Sequence, residues 1–276
     1  MIKKITQSFT KDAQDYFAGT LCGNIMKEKW VNERLIELDS KAAALGAYFE
    51  YYFTLLVTGK GTLPKDGKVP ERGMYANGKQ PLAPYALAEA NAVRLKEYFE
   101  LMGLKVLRAG VKLTKGRFEG TIDLMVECMK AIEFDAGKKW KVGDIFIFDL
   151  KYSGLLDDKW SNFGWIGLLS PGPHIQKDYH KVQAIHYSYI GGDYPFYYLV
   201  VSSTNENDIG LFHVGVTEEI SQQYRDEAAG LFEKFEFEAK IGFEARPSIS
   251  VCNGCPLKGE CKDKHTYPHP KEVVLS

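Results

Sequence analysis

The chain has 276 residues, of which 45% are hydrophobic, 13% aromatic and 26% charged. That composition excludes a disordered, collagenous or low-complexity chain and allows one large domain or two small ones, with a sizeable core either way. Lys plus Arg number 35 against 36 Asp plus Glu, which excludes a histone-like hold on nucleic acid but leaves room for a local basic groove. No apolar stretch approaches the ~20 residues of a membrane span. Residues 1–6 are basic but lead into no apolar h-region, so no export signal is read and a cytoplasmic, intracellular protein is expected. Five cysteines are too sparse for a disulfide scaffold. Their number is odd and three fall within ten residues, which points to a metal or redox site.

Residues 1–38 mix aromatics and charges around Cys22 and read as partly helical. Residues 40–58 read as a helix, capped by Ser40 and stopped by Gly59-Lys60-Gly61. Residues 59–84 are rich in Gly and Pro and have no periodicity. With Lys60, Lys65, Lys68, Arg72 and Lys79 against Asp66 and Glu71, this segment carries a net +3. It is either a solvated surface loop or one that touches phosphates. Residues 84–102 form a helix, with Gly103 as its stop. The period then changes to two. Residues 105–113, 117–128 and 144–151 read as strands, with a short one at 131–134. Residues 152–175 are irregular and hold Trp160, Phe163 and Trp165, which either stack on unpaired bases or pack the segment onto the sheet. Residues 177–190 are helical and end at Gly191-Gly192. Strands follow at 196–203 and 210–216. Thr217 caps a long helix to about Ile241. The order predicts an α/β fold with a mixed central sheet flanked by helices. A single domain is expected, with its core over about 40–216 and with extensions at 1–38 and 217–276.

Asp123 interrupts an otherwise apolar strand. Asp149-Leu150-Lys151 ends the run Ile145 to Phe148, and residues two apart on a strand share a face. An acid and a base are therefore expected side by side. Alone, that pair is an ordinary structural ion pair. Glu50 on the first long helix, and Gln183 and Tyr187 four apart on a later one, change its meaning. Strand carboxylates suit a hard divalent cation, and a neighbouring lysine suits an attacking water on a phosphodiester.

The succession G-x-x-x-E, G-x-I-D, D-x-K, Q-x-x-x-Y resembles the PD-(D/E)XK nucleases, in particular the RecB-type exonuclease branch. It runs from Gly46 to Tyr187, about half the chain. The resemblance implies a restriction-endonuclease-like core and a metal-dependent DNA exonuclease. Its substrate would be single-stranded or end-containing DNA, in recombination, repair or phage DNA metabolism. Glu50, Asp123 and Asp149 would bind Mg²⁺ or Mn²⁺. Lys151 would be catalytic, and Gln183 and Tyr187 accessory. Many members of this branch have a histidine near the first motif; here Tyr48 and Phe49 precede the glutamate.

The tail reads Cys252-Asn-Gly-Cys255-Pro-Leu-Lys-Gly-Glu-Cys261. Three thiolates need a fourth ligand, either Cys22 or His265, and spacing does not choose between them. Four thiolates suit an iron–sulfur cluster or Zn²⁺, and Cys₃His suits Zn²⁺. A subset of the resembled family, including helicase–nuclease subunits and CRISPR-associated exonucleases, has one cysteine before the core and three after it. Those bind a 4Fe–4S cluster that joins the two ends, and the likeness favours Cys22. Cys128 is left over as a buried strand residue. His174, His180, His186 and His213 read as surface or core residues, although His180 and His186 lie near the accessory helix. A different class of function is a DNA-binding or helicase-partner protein on the same fold with a dead site. Retention of all the core residues weighs against it.

Overall fold

The structure is a computed structural model that describes residues 3–34, 41–64, 66–76, 78–133, 139–154, 175–205, 208–245, 252, 255, 257 and 259–262. At 41 and 175–180 it describes helical backbone alone. In chain order the elements are α1 (Gln7–Phe17), α2 (Gly23–Met26), a π-helical turn (Lys27–Val31), α3 (Lys41–Thr58), α4 (Ala83–Leu101), β1 (Leu104–Lys115), β2 (Phe118–Cys128), β3 (Ile132–Glu133), β4 (Lys139–Trp140), β5 (Ile145–Ser153), α5 (Ile175–Ile190), β6 (Phe196–Ser202), β7 (Ile209–Val214) and α6 (Glu218–Ile241). The chain divides into two compact units. One is Asp39–Tyr224; the other combines Met1–Leu38 with Arg225–Ser276. Among the described residues no helix is long and apolar enough to cross a membrane.

In the Asp39–Tyr224 unit a five-stranded sheet has the order β1-β2-β5-β6-β7. Every neighbouring pair is antiparallel except β5 and β6, which run parallel with Asp149 aligned to Tyr198. Parallel neighbours need a crossover, and the segment between them contains α5. The expected mixed sheet flanked by helices is therefore present. One face packs Phe146, Phe148, Leu150, Leu199 and Val201 against Phe49 and Phe53 of α3 and Leu95 and Phe99 of α4. The other packs Ile122, Ile147, Phe196, Tyr198 and Val200 against Ala184 of α5. β1 is an edge strand. Lys105, Arg108 and Lys112 stand exposed along it, which discourages further strand pairing.

The local signals hold where they are short-range. Gly103 takes φ +62° just past α4 and donates to the Glu100 carbonyl at 3.1 Å. Thr217 Oγ1 accepts from Ile220 N at 3.2 Å and so caps α6. Cys128 is fully buried in the sheet core. The short strand at Ile132–Glu133 pairs with Lys139–Trp140 as a separate two-stranded sheet. A two-residue strand such as β4 is too brief to leave a period in the sequence. Ser40, Trp160, Phe163, Trp165, His174 and His265 lie outside the described residues, as does the side chain of His180.

In the second unit the N- and C-terminal segments share one aromatic core. Phe9 of α1 meets Trp30, Phe232 and Phe235 edge-on, at ring separations of 5.5, 5.4 and 5.1 Å. Tyr16 hydroxyl accepts from Glu244 N at 3.1 Å and donates to Glu238 at 3.3 Å. Apolar burial and these hydrogen bonds hold the two ends of the chain together.

Candidate active site

The β2–β5 ladder runs from Glu127 opposite Ile145 to Leu124 opposite Phe148. Beyond that pair the strands part. Asp123 is the next residue on β2, and its Oδ2 accepts from Leu150 N at 2.8 Å. The carboxylate thus takes a backbone donor that a continuing ladder would have used. Asp149, the next residue on β5, is 1% exposed. The parting of the strands places both acids at one point.

Asp149 is held on both sides. Gln183 Nε2 of α5 donates to its Oδ1 at 2.8 Å. Lys151 Nζ makes an ion pair with Oδ2. Lys151 Nζ also lies 5.7 Å from the Tyr198 ring centre, over its face. Tyr198 hydroxyl donates to Gln183 Oε1 at 3.3 Å, which leaves the amide nitrogen for Asp149. Tyr198 left no signal in the sequence, because only the parallel register of β6 against β5 brings it there.

Glu50 comes from α3, whose Phe49 and Phe53 anchor the helix in the core. Burial, then the negative charge of Asp149, push its carboxyl up to about 7, while Lys151 pulls the other way. Asp123 is held well above the usual carboxylate range, first by burial and then by Asp149 and Glu50; Lys151 and the Leu150 N–H oppose this. Burial raises Asp149 too, and outweighs Lys151. Three acids and one lysine therefore share one field. Tyr187, one turn beyond Gln183, packs 6.4 Å from the Phe196 ring, and its ring closes on Gly120. His186 is fully buried and does not reach solvent.

These donors suit a hard divalent cation: all are oxygens, and they repel one another without a counter-charge. Among the described residues no three of His, Cys, Asp or Glu stand together as a finished ligand group. The fit is therefore one of donor chemistry and charge, not of preassembled coordination.

In the terminal unit Cys22 lies within electrostatic reach of Cys261, Cys255 and Cys252. Burial raises its thiol first, the Asn24 N–H lowers it, and those three cysteines raise it further. Asn24 Nδ2 lies 3.3 Å from Cys261 Sγ. Cys22 and the three C-terminal cysteines thus fall in one unit, thiol donors of the soft kind that iron–sulfur and zinc sites use, although among the described residues they do not stand together as a ligand group.

The fold has a solved counterpart. A candidate exonuclease from Eubacterium rectale aligns over 99% of this chain and 91% of its own, with TM-score 0.51 and 18% identity. That likeness shows the fold. The alkaline exonuclease LHK-Exo from Laribacter hongkongensis aligns over 87% of this chain and 91% of its own, with TM-score 0.40 and 12% identity. The same enzyme in complex with dAMP aligns over the same shares, with TM-score 0.39 and 13% identity. No family model and no curated protein matches the chain.

Proposed function

We propose that this protein is a Mg²⁺- or Mn²⁺-dependent deoxyribonuclease of the PD-(D/E)XK type, acting as an exonuclease on single-stranded or end-containing DNA. The observation that supports this reading is the meeting of Asp123 and Asp149 where β2 and β5 part, with Lys151 paired to Asp149 and Glu50 of α3 within the same electrostatic field. A purely structural ion pair needs one acid; three mutually repelling acids are costly unless they take up protons or a cation. The exonuclease names of the structural neighbours agree with it.

Glu50, Asp123 and Asp149 would hold the ion, which when bound polarises the scissile phosphate and acidifies a water. The chain's own residues supply the rest. Gln183 fixes the rotamer of Asp149, and Tyr198 fixes the amide of Gln183. Lys151, set between Asp149 and the Tyr198 ring, carries the positive charge that orients the water and offsets charge building on the phosphate. In the terminal unit, Cys22, Cys252, Cys255 and Cys261 would hold a 4Fe–4S cluster.

The test uses end-labelled linear DNA, single- and double-stranded, beside a covalently closed circle. With Mg²⁺ or Mn²⁺ the linear forms lose nucleotides from their ends and the circle survives; EDTA stops the reaction. Asp149→Asn and Lys151→Met each lower the rate by on the order of 10²–10³. Binding of DNA without any cleavage by the unaltered protein overturns the enzyme reading in favour of a DNA-binding protein on the same fold.

A further inference from the structure

The segment between α3 and α4, residues 59–82, shows among its described residues no helix and no strand pairing beyond one bridge, yet its backbone is fastened near its start and around its tip. At its start, Thr62 N donates to Thr54 Oγ1 at 2.8 Å, and Thr54 Oγ1 in turn donates to the Glu50 carbonyl at 2.8 Å. Gly61 lies so close to Tyr51 that an added Cβ would sit 2.2 Å from the ring. Thr62 also packs on Gly110 of β1, where an added Cβ would lie 2.6 Å from its methyl. Gly110 falls between Ala109 and Val111, which pair with Leu124 and Ile122, so it sits across from Asp123. The strap therefore begins one helical turn from Glu50 and against the strand that pairs with the Asp123 strand.

Further along, Arg72 pairs with Glu89 of α4 at 2.6 Å, and Glu89 also accepts from Tyr48 hydroxyl. Gly73 closes on Tyr85, leaving 2.4 Å for a Cβ. The tip is a small hairpin: Met74 bridges Pro81, Tyr75 N donates to Gln80 O at 3.0 Å, and Gly78 turns the chain at φ +65°.

What this fastened backbone presents to solvent is unusual. Leu63, Val69, Met74 and Tyr75 are 44, 57, 36 and 47% exposed. Exposed Lys60, Lys68 and Lys79 lie among them, in a segment of net charge +3 on a chain of net charge −1. A strap that only connected two helices would not need its backbone held while apolar and cationic side chains face water.

We infer that this strap is a track for single-stranded nucleic acid, leading from the acidic site along Lys60 and Lys68 to a stacking platform at Tyr75. Phosphates meet the lysines and an unpaired base stacks on the tyrosine ring. The inference deepens the nuclease reading and rests on it.

The test measures binding of a fluorescent oligonucleotide to full-length protein in EDTA, by anisotropy over a salt series, beside a metal-dependent cleavage assay. Tyr75→Ala is expected to weaken single-strand binding by at least ~5-fold and blunt-duplex binding far less. Lys60→Glu with Lys68→Glu is expected to lower the salt slope by roughly 1.4. Melting temperatures and circular dichroism of the variants verify that they fold. If folded variants bind single strands as the unaltered protein does, the strap inference is overturned while the nuclease reading stands. If the unaltered protein neither binds nor cleaves DNA, both fall, and a strap that instead retains a protein partner becomes the outcome.

Discussion

Both oxygens of Asp149 are claimed by side chains, Gln183 on one and Lys151 on the other, while Glu50 and Asp123 feel Lys151 only as a more distant charge. This has a measurable pH signature. Glu50 titrates near 4.5 when unfolded and near 7 when folded. Its contribution to stability is complete below the lower value and is lost as pH rises through the upper one. A divalent cation competes with that proton. The melting temperature is therefore expected to rise more on adding Mn²⁺ at pH 8 than at pH 5.5, and an equal shift at both would count against Glu50 as a ligand. His186 behaves in the opposite sense. Its Nε2 lies 3.0 Å from the Glu119 carbonyl and must donate; its Nδ1, 2.7 Å from Tyr224 hydroxyl, then accepts. That is the neutral ring, and burial lowers its pKa to about 4. Unfolded, it takes a proton near 6.5. Its share of stability is present above that value and is lost as pH falls toward 4, up to about 3 kcal/mol. Urea melts at pH 7 and pH 5 are expected to differ less in His186→Phe than in the unaltered protein.

At the scale of elements, the tight approaches are made by glycines. Gly23 opens α2 beside Cys22, and a Cβ there would lie 2.1 Å from the Glu244 carbonyl oxygen. The obstacle is backbone, which cannot swing aside. Gly23→Ala is expected to cost about 1–3 kcal/mol, as overpacking does, and to push the N-terminal segment off the C-terminal one. Thermal unfolding reads the first effect, and metal content per chain reads the second. The elements themselves were largely legible. The three strands after Gly103, the helix stop at that glycine and the Thr217 cap follow from local period and local hydrogen bonding. The exceptions also have physical reasons: β4 is two residues long, and α6 belongs partly to each unit because nothing at Tyr224 breaks its helical pattern.

For the whole molecule, the terminal unit joins segments more than 200 positions apart, and its aromatic core is shared between them. A cluster would add a cross-link that closes a very long loop, which constrains the unfolded chain strongly. Anaerobically purified protein is expected to be brown and to hold about four irons. Cys22→Ser is expected to bleach it and lower its melting temperature, whereas His265→Ala leaves both unchanged. One zinc that survives Cys22→Ser and is lost in His265→Ala would reverse the assignment.

The sequence by itself determined the alternation of elements, the side-by-side placement of Asp149 and Lys151, and the spacing of the three tail cysteines. All of these follow from periods of 2 or 3.6 residues and from neighbours close along the chain. Only the tertiary structure decided that β2 and β5 part at the two acids and that Tyr198 lies under Lys151. The same holds for His186 lying inside the protein and for Cys22 approaching the tail. Each depends on strand register or on contacts between distant segments, and no local preference encodes which distant residue will be the partner.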